Sequence, residues 1–546
     1  MNLKPEQYIQ VFEKLKSNRT NWETNWQDIV DYFLPNRLDI IGQTTPGDKD
    51  TRKIYNSTPV RSAVKFAANL HSTLTNVNTL WSVYEMVDDE LNKVKEVREW
   101  CDDNSKTMKT LLNTSNFHNQ MHTFYLDVGT ICTSVMYIEE DTDPNTDSVF
   151  VFDTRPIKEI FISENKFGRV DTVYRKIEMT ARIIKERWEE DTPEAVTKAI
   201  EAQEGESPFM VLHVTQPRDK AKIKDKPLNS KEFPFESVWI FLEGGTGDTP
   251  ELLKEGGYEE FPFAVVRSSK ASGEVYGRGT GFDNLDDTKT LNSMVKSFLR
   301  AGARSAEPPY QAPDEGFIEG FDFSPNGMNY FDSSDTSGKN RIEIIPQGGQ
   351  LPFTREMIND VKDDIKEGFY LTQLQLIDAR EMTAEEVRTR TAENMRVISP
   401  LFGRLTSEGL AVIMFRCYAI AQRAGKLKEA PESVIGQELR VRYKSPIARA
   451  QQLHEAQAIT QTVGTALGWA EIRPDVLDNI DFDAAIEEIG DLDGATSKIF
   501  NDETKIKEIR AARAAQQKQQ MELEQANQKA EIVQKGSNAM KNMEGK

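Results

Sequence analysis

Four clusters in this chain have residue types and spacings that suit chemistry. Gly277-Arg278-Gly279-Thr280-Gly281 is a glycine-rich run ahead of a helix pattern, the setting in which backbone amides cradle phosphates. It lacks both the GxGxxG spacing and the Lys-Ser/Thr pair of a phosphate loop, so a tight turn is the favoured reading. Gly244-Gly245-Thr246-Gly247 fails the same test and reads as a loop tip. His118 and His122 stand four apart and share a helix face. A zinc site of that spacing needs a third ligand and usually a Glu between the histidines. Asn119-Gln120-Met121 supplies neither, so the pair reads as surface or interface histidines, with no metal and no cofactor expected. There is no Gly-x-Ser-x-Gly elbow, and only 5 histidines serve acid–base work. The expectation is a protein that is not an enzyme.

The remaining cluster is a charge pattern. On a helical wheel from Asn284 to Ser305, Lys289, Lys296, Arg300 and Arg304 fall within roughly 80° of one another, and Leu291, Met294, Val295 and Phe298 fall opposite. From Arg355 to Leu376, Glu356, Asp360, Asp363, Asp364 and Glu367 share one face, and Ile358, Val361, Ile365 and Phe369 the other. A basic-faced and an acidic-faced helix therefore bracket a Pro/Gly-rich insert over 307–352, which helix does not cross. Short strands such as Ile342–Ile345 fit within it. The apolar faces are expected to pack together. The charged faces are either solvated or turned to neighbouring copies or to whatever passes by.

Other elements must position that pair. Apolar spacing predicts a helix over 5–34, with Trp22 and Trp26 as core or contact anchors, ending at Leu34-Pro35. A second helix opens at Ser57-Thr58-Pro59, with Val60, Ala63, Val64, Ala67, Leu70 and Leu74 as its buried stripe. A loop at 76–79 leads to Trp81, another anchor, and helices follow over roughly 90–133. Val135–Ile138 and Val149–Phe152 flank Asp141–Asn145 as a hairpin, and further strands are expected near 170–177, 209–215, 236–242 and 262–267. Asp219–Lys226 reads as a solvated loop. The first 280 residues are thus an α+β domain with a small antiparallel sheet. Thr383-Ala384-Glu385-Glu386 is a capping box opening a long helix towards Lys426, which Pro400 should kink. Leu439–Tyr443 reads as a strand. Residues 446–500 read as two or three short helices broken near Gly464, Pro474 and Gly490, and 502–535 as an exposed, Gln-rich helix before a disordered end.

The chain has 546 residues, 38% of them hydrophobic and 29% charged, and a net charge of -20. That length implies several subdomains. That acidity disfavours a sequence-specific DNA reader, which needs clustered Lys and Arg, but suits a surface past which DNA slides. Cys101, Cys132 and Cys417 form no CxxC pair, arguing for a reducing compartment. The start carries no apolar signal region, and apolar runs such as Ala411–Phe415 are far too short to span a bilayer. No membrane partner is expected, and assembly is expected in the cytoplasm.

The order of features resembles the portal (head-to-tail connector) family of short-tailed phages over nearly the whole chain. The matching pieces are Trp26 through Asp31-Tyr32-Phe33-Leu34-Pro35, Thr58 to Leu74 closing on Trp81, and Phe117 to Gly129. They continue with Pro262-Phe263 through Arg267, Glu274 to Gly279, and Met382-Thr383-Ala384-Glu385-Glu386-Val387 with Arg390 and Glu393. The resemblance implies a wing over 1–280, stem helices over 281–305 and 354–376, a small clip over 306–353 and a tunnel loop over 377–383, with Asp378, Arg380 and Glu381. It also implies a long kinked wing helix with a strand over 384–445, a helical crown over 446–500 and a helical extension and tail over 501–546. The implied protein is a homododecameric ring at one vertex of the virion, the channel for genome packaging and ejection. Its implied partners are itself, the major capsid protein, scaffold, terminase large subunit, tail proteins and non-sequence-specific double-stranded DNA. Lys289, Lys296, Arg300, Arg304 and Arg380 are placed to touch phosphates in such a channel. The alternative is another virion assembly component, a scaffold or tail adaptor.

Overall fold

A computed structural model describes residues 4–521 apart from 38, 43–52, 220–222, 224–228, 243–249, 307–309, 312–342, 345–350, 375–392, 394–395, 444–445, 471–472, 494–500 and 502–504. The chain divides into two compact units, Met1–Trp81 with Met108–Leu427, and Ser82–Thr107 with Lys428–Lys546.

The first unit opens with helices α1 (Pro5–Phe33) and α2 (Thr58–Leu74). Pro5 stands at the first turn of α1, where its missing N–H costs nothing. The buried stripe of α2 is Ala63, Phe66, Ala67, Leu70 and Leu74. Val64, expected inside, is exposed, and Val60 is only half-buried. Phe66 takes the place because it packs edge-on against Phe369, a contact no local pattern encodes.

Five of the unit's described strands form an antiparallel meander of β4 (Ile160–Glu164), β5 (Val170–Thr180), β6 (Pro208–Pro217), β7 (Phe235–Leu242) and β8 (Pro250–Tyr258). Its side chains alternate between two cores, as period-two strands require. One face packs Phe161, Tyr174, Leu212, Val214 and Ile240 under Tyr8 and Phe12 of α1. The other packs Val211, Trp239, Phe241 and Leu253 under Ile184 of α6 (Ala181–Arg187), Trp188 just after it and Val196 of α7 (Glu194–Glu201). The expected small sheet is therefore a helix–sheet–helix sandwich.

A second sheet has the order β3-β2-β9, from β2 (Thr133–Glu140), β3 (Phe150–Arg155) and β9 (Phe263–Arg267). The expected hairpin is present, with Ile138 opposite Phe152. α5 (Phe117–Thr130) covers the outer edge of β3. Asn116 Oδ1 accepts from Phe152 N at 3.0 Å, and Gln120 Oε1 from Thr154 N at 2.9 Å. Those bonds close a strand edge that would otherwise present free N–H groups.

The long helix Arg396–Arg423 continues through Pro400 and departs from α-geometry five residues later, in a π turn over Leu405–Leu410. The irregularity expected at Pro400 thus sits at 405–410. By length and composition this helix also passes as a membrane span. Its Glu408, Arg416 and Arg423 are ion-paired to Arg267, Glu260 and Glu140, which ties it to the sheets.

In the second unit β1 (Ser82–Met86) pairs antiparallel with β12 (Leu439–Tyr443). Met86, Val97, Trp100, Cys101 and Val434 form its core, with α3 (Asp89–Lys93) and the first part of α4 (Lys95–Thr114). Trp100 Nε1 donates to Lys428 O at 3.0 Å. Pro446–Ala470 is one helix that runs through Gly464 without a break, since an isolated Gly costs only about 1 kcal/mol. A 3-10 turn over Pro474–Asn479 is the real break, and Phe482–Asp493 continues through Gly490. Residues 505–521 are an exposed helix, as expected.

Candidate functional site

The two helices around the insert are α9 (Leu285–Ala306) and α10 (Leu351–Gly368). Between them β10 (Tyr310–Gln311) pairs antiparallel with β11 (Glu343–Ile344), so the insert leaves and returns side by side. The rest of the insert lies outside the described residues, as do Gly244–Gly247, most of Asp219–Lys226, the capping box and Asp378, Arg380 and Glu381.

Of the apolar positions on the two wheels, Met294, Val295, Phe298 and Val361 are half-buried. Leu291, Ile358, Ile365 and Phe369 are buried, while Glu356, Asp360, Asp363, Asp364 and Glu367 are all exposed. Gly368 lies so close to Asn284 that a Cβ there would stand 2.0 Å from Asn284 Oδ1, which fixes the base of the hairpin. Phe369 then enters an aromatic cluster with Phe33 and Phe66, at ring separations of 5.5 Å and 6.2 Å. The second helix was expected to reach 376. It ends at Gly368, Tyr370 turns left-handed at φ 54, and a separate turn follows as α11 (Leu371–Leu374).

On α9, Asp286 and Asp287 in the first turn and Arg304 in the last complement the helix dipole. Asn292 is buried and its Oδ1 accepts from Tyr55 N at 2.7 Å and Asn56 N at 3.0 Å, pinning the helix to the entry of α2. The four cations on its basic face have different roles. Lys289 is held by Asp28 of α1 at 2.7 Å, and Lys296 stands 5.3 Å from the centre of the Tyr55 ring. Arg300 and Arg304 are exposed and make no ion pair with another described residue.

The glycine-rich run before α9 is a clasp. A Cβ at Gly277 would stand 2.1 Å from Cys132 O, and one at Gly281, in α8 (Thr280–Asp283), 1.7 Å from Thr130 O. Gly277 N donates to Thr133 Oγ1 at 2.8 Å, and Thr280 Oγ1 donates to Gly129 O. The amide that a phosphate cradle would use at Gly277 is taken by the protein itself.

His118 does not pair with His122. Its Nδ1 faces His71 Nε2 at 3.3 Å and its Nε2 faces Asn113 Oδ1 at 2.8 Å. Among the described residues no three His, Cys, Asp or Glu side chains gather as metal ligands. Burial and the nearby His71 push His118 down to about 4.

Sequence reasoning missed the strongest charged cluster. Arg267 is buried at the end of β9, and Glu164 and Glu408 both pair with it. Lys270 joins through Glu164 at 2.6 Å. The signal was present: one Glu inside the apolar stretch Leu405–Phe415 has to find a partner or water. A separate cleft of about 740 Å³ is lined by Glu139, Glu140, Tyr258 and Arg416, and Arg423 on its wall bridges Glu140 and Glu259.

The described chain is thus an α+β protein whose most distinctive feature is an anchored helical hairpin with charged outer faces. It matches the family of bacteriophage head to tail connecting proteins over residues 5–500, and it belongs to that family. It is similar to the portal protein of Salmonella phage epsilon15, 26% identical over 523 residues, covering 94% of this chain and 91% of that protein. It is also similar to a probable portal protein of Bordetella phage BPP-1, 25% identical over 533 residues, covering 96% and 92%. A solved chain of a native gene transfer agent virion aligns at 9% identity and a TM-score of 0.32, covering 78% of this chain and 92% of that one, too low to carry an argument.

Proposed function

We propose that the chain forms a closed ring of twelve at one capsid vertex, through which double-stranded DNA is packaged and ejected. In this reading α9 and α10 are the stem and the insert between them is the clip. Residues 1–280 with the long helix form the wing, 377–383 is a loop at the channel, and 446–500 is the crown. Capsid, scaffold, terminase and tail proteins dock on the ring, and the ring itself catalyses nothing.

The family match along 5–500 carries the reading. The hairpin supports it, because its acidic face and the outer cations Arg300 and Arg304 are exposed on a single chain while its base is pinned to α1 and α2. The net charge of -20 suits a channel that does not grip phosphates tightly.

Negative-stain images and mass photometry of the purified chain test the proposal. Rings with a central hole and a mass twelve times the 62.0 kDa chain are expected. Monomers or elongated dimers at every concentration would sink it.

A further inference from the structure

The two faces of the hairpin have the same spacing and opposite sign. Lys296, Arg300 and Arg304 recur every fourth residue on α9, and Glu356, Asp360 and Asp364 recur every fourth residue on α10. At about 1.5 Å per residue, successive charges in either row are about 6 Å apart, and each row turns through about 80°. The apolar sides of the helices face each other, so the two rows point away from each other, to opposite flanks of the hairpin.

Neither row is neutralised by a described residue. Among the described residues none of these six makes an ion pair, whereas Lys289, nearer the base, is held by Asp28 and Asp363 by Lys366. Lys296 and Glu356 both lie twelve residues out from the Asn284–Gly368 contact, so they are level along the hairpin. An offset of one helical turn between two copies sets Lys296 against Asp360 and Arg300 against Glu356.

We propose that the acidic row of one copy docks on the basic row of the next, making the hairpin flanks a head-to-tail interface between subunits. One flank meeting a different flank is a heterologous contact, the kind that generates rings when the rotation closes. A single exposed ion pair contributes little. Matched pairs along the rows select the partner flank, and they repel a copy that docks like flank on like flank. This inference rests on the ring reading above and names the contact that selects the neighbour.

Charge reversal tests it. One variant carries Lys296→Glu, Arg300→Glu and Arg304→Glu, so both of its flanks are acidic. The other carries Glu356→Lys, Asp360→Lys and Asp364→Lys, so both are basic. Each alone should need at least a tenfold higher concentration to form rings in mass photometry. Mixed one to one they should form rings again, because acidic flanks then meet basic ones. Five of the six positions are exposed and Lys296 is half-buried beside Tyr55, so circular dichroism checks that each variant is folded. If either variant is not, salt titration of the wild type decides: ring formation should weaken several-fold between about 0.05 and 0.5 M salt, and no salt dependence overturns the proposal.

Single variants that form rings like the wild type overturn it. So does a basic-row variant that forms rings normally but loses DNA retention, since that row would then face the channel. A wild-type chain that forms no rings would instead remove the ring reading, so the two failures are distinguishable.

Discussion

Glu408 closes its carboxylate on the guanidinium of Arg267, across 141 residues of sequence and from the middle of a π turn. Arg267 Nε donates to Oε2 at 3.1 Å, Nη2 to Oε1 at 2.9 Å, and the Arg267 backbone N–H to Oε2 at 3.2 Å. The π turn makes this possible. Its one extra residue per turn re-aims Glu408 towards β9, and Gly409 lets the helix approach Val266, where a Cβ would stand 2.6 Å from Cγ2. The long helix is therefore fastened to the sheet by a paired, buried charge rather than by apolar contact alone. Glu408→Ala leaves Arg267 buried with Glu164 as its remaining carboxylate, and removing one partner of a buried pair costs about 3 kcal/mol. Glu274→Ala, at an exposed pair with Arg278, should cost under about 1 kcal/mol. Urea unfolding of the two variants measures the contrast, and equal midpoints would show that Glu408 is not a fastening.

Two glycine substitutions should move stability in opposite directions. Gly281→Ala places a methyl group into the Thr130 carbonyl, a backbone atom that cannot step aside, so the clasp before α9 has to open. Overpacking of this kind costs at least about 2 kcal/mol. Gly302 lies in α9 with nothing within 4 Å of a new Cβ. There Ala only improves helix propensity, and Gly302→Ala should gain about 1 kcal/mol. Thermal melts of both variants check the pair; a Gly281→Ala protein that melts with the wild type would remove the clasp.

The faces of α9 and α10 were legible because helical period and charge are local properties, and Ile358, Ile365 and Phe369 are buried where the wheel puts them. The end of α10 was not legible. Leu371, Leu374 and Leu376 continue an apolar pattern, and what stops the helix is Gly368 against Asn284, 84 residues upstream. The same limit hid Arg267 and Glu408, since each is one charge in an apolar setting and only the fold shows that they meet. The α2 stripe failed more subtly: Val64 and Phe66 are both apolar, and the distant ring of Phe369 decides which is buried.

A half-buried histidine and a buried aspartate give stability opposite slopes over the same acid range. His118 is held down to about 4 by burial and by His71, so below its ordinary value the unfolded chain binds more protons than the folded one. Its share of stability is therefore present at neutral pH and lost as pH falls from about 6.5 towards 4. Asp127 is pushed up to about 6 by burial, which outweighs the adjacent Arg37 guanidinium. Here the folded chain binds more protons between about 4 and 6, so the cost of its buried carboxylate is relieved as pH falls through that window. Each shift is worth about 2 kcal/mol, given about 1.4 kcal/mol per pKa unit and partial screening. Going from pH 7 to 4.5, His118→Gln should lose less stability than the wild type, and Asp127→Asn should lose more. Unfolding free energies at the two pH values read the difference directly. Two variants with pH profiles parallel to the wild type would mean that neither group is shifted in the folded chain.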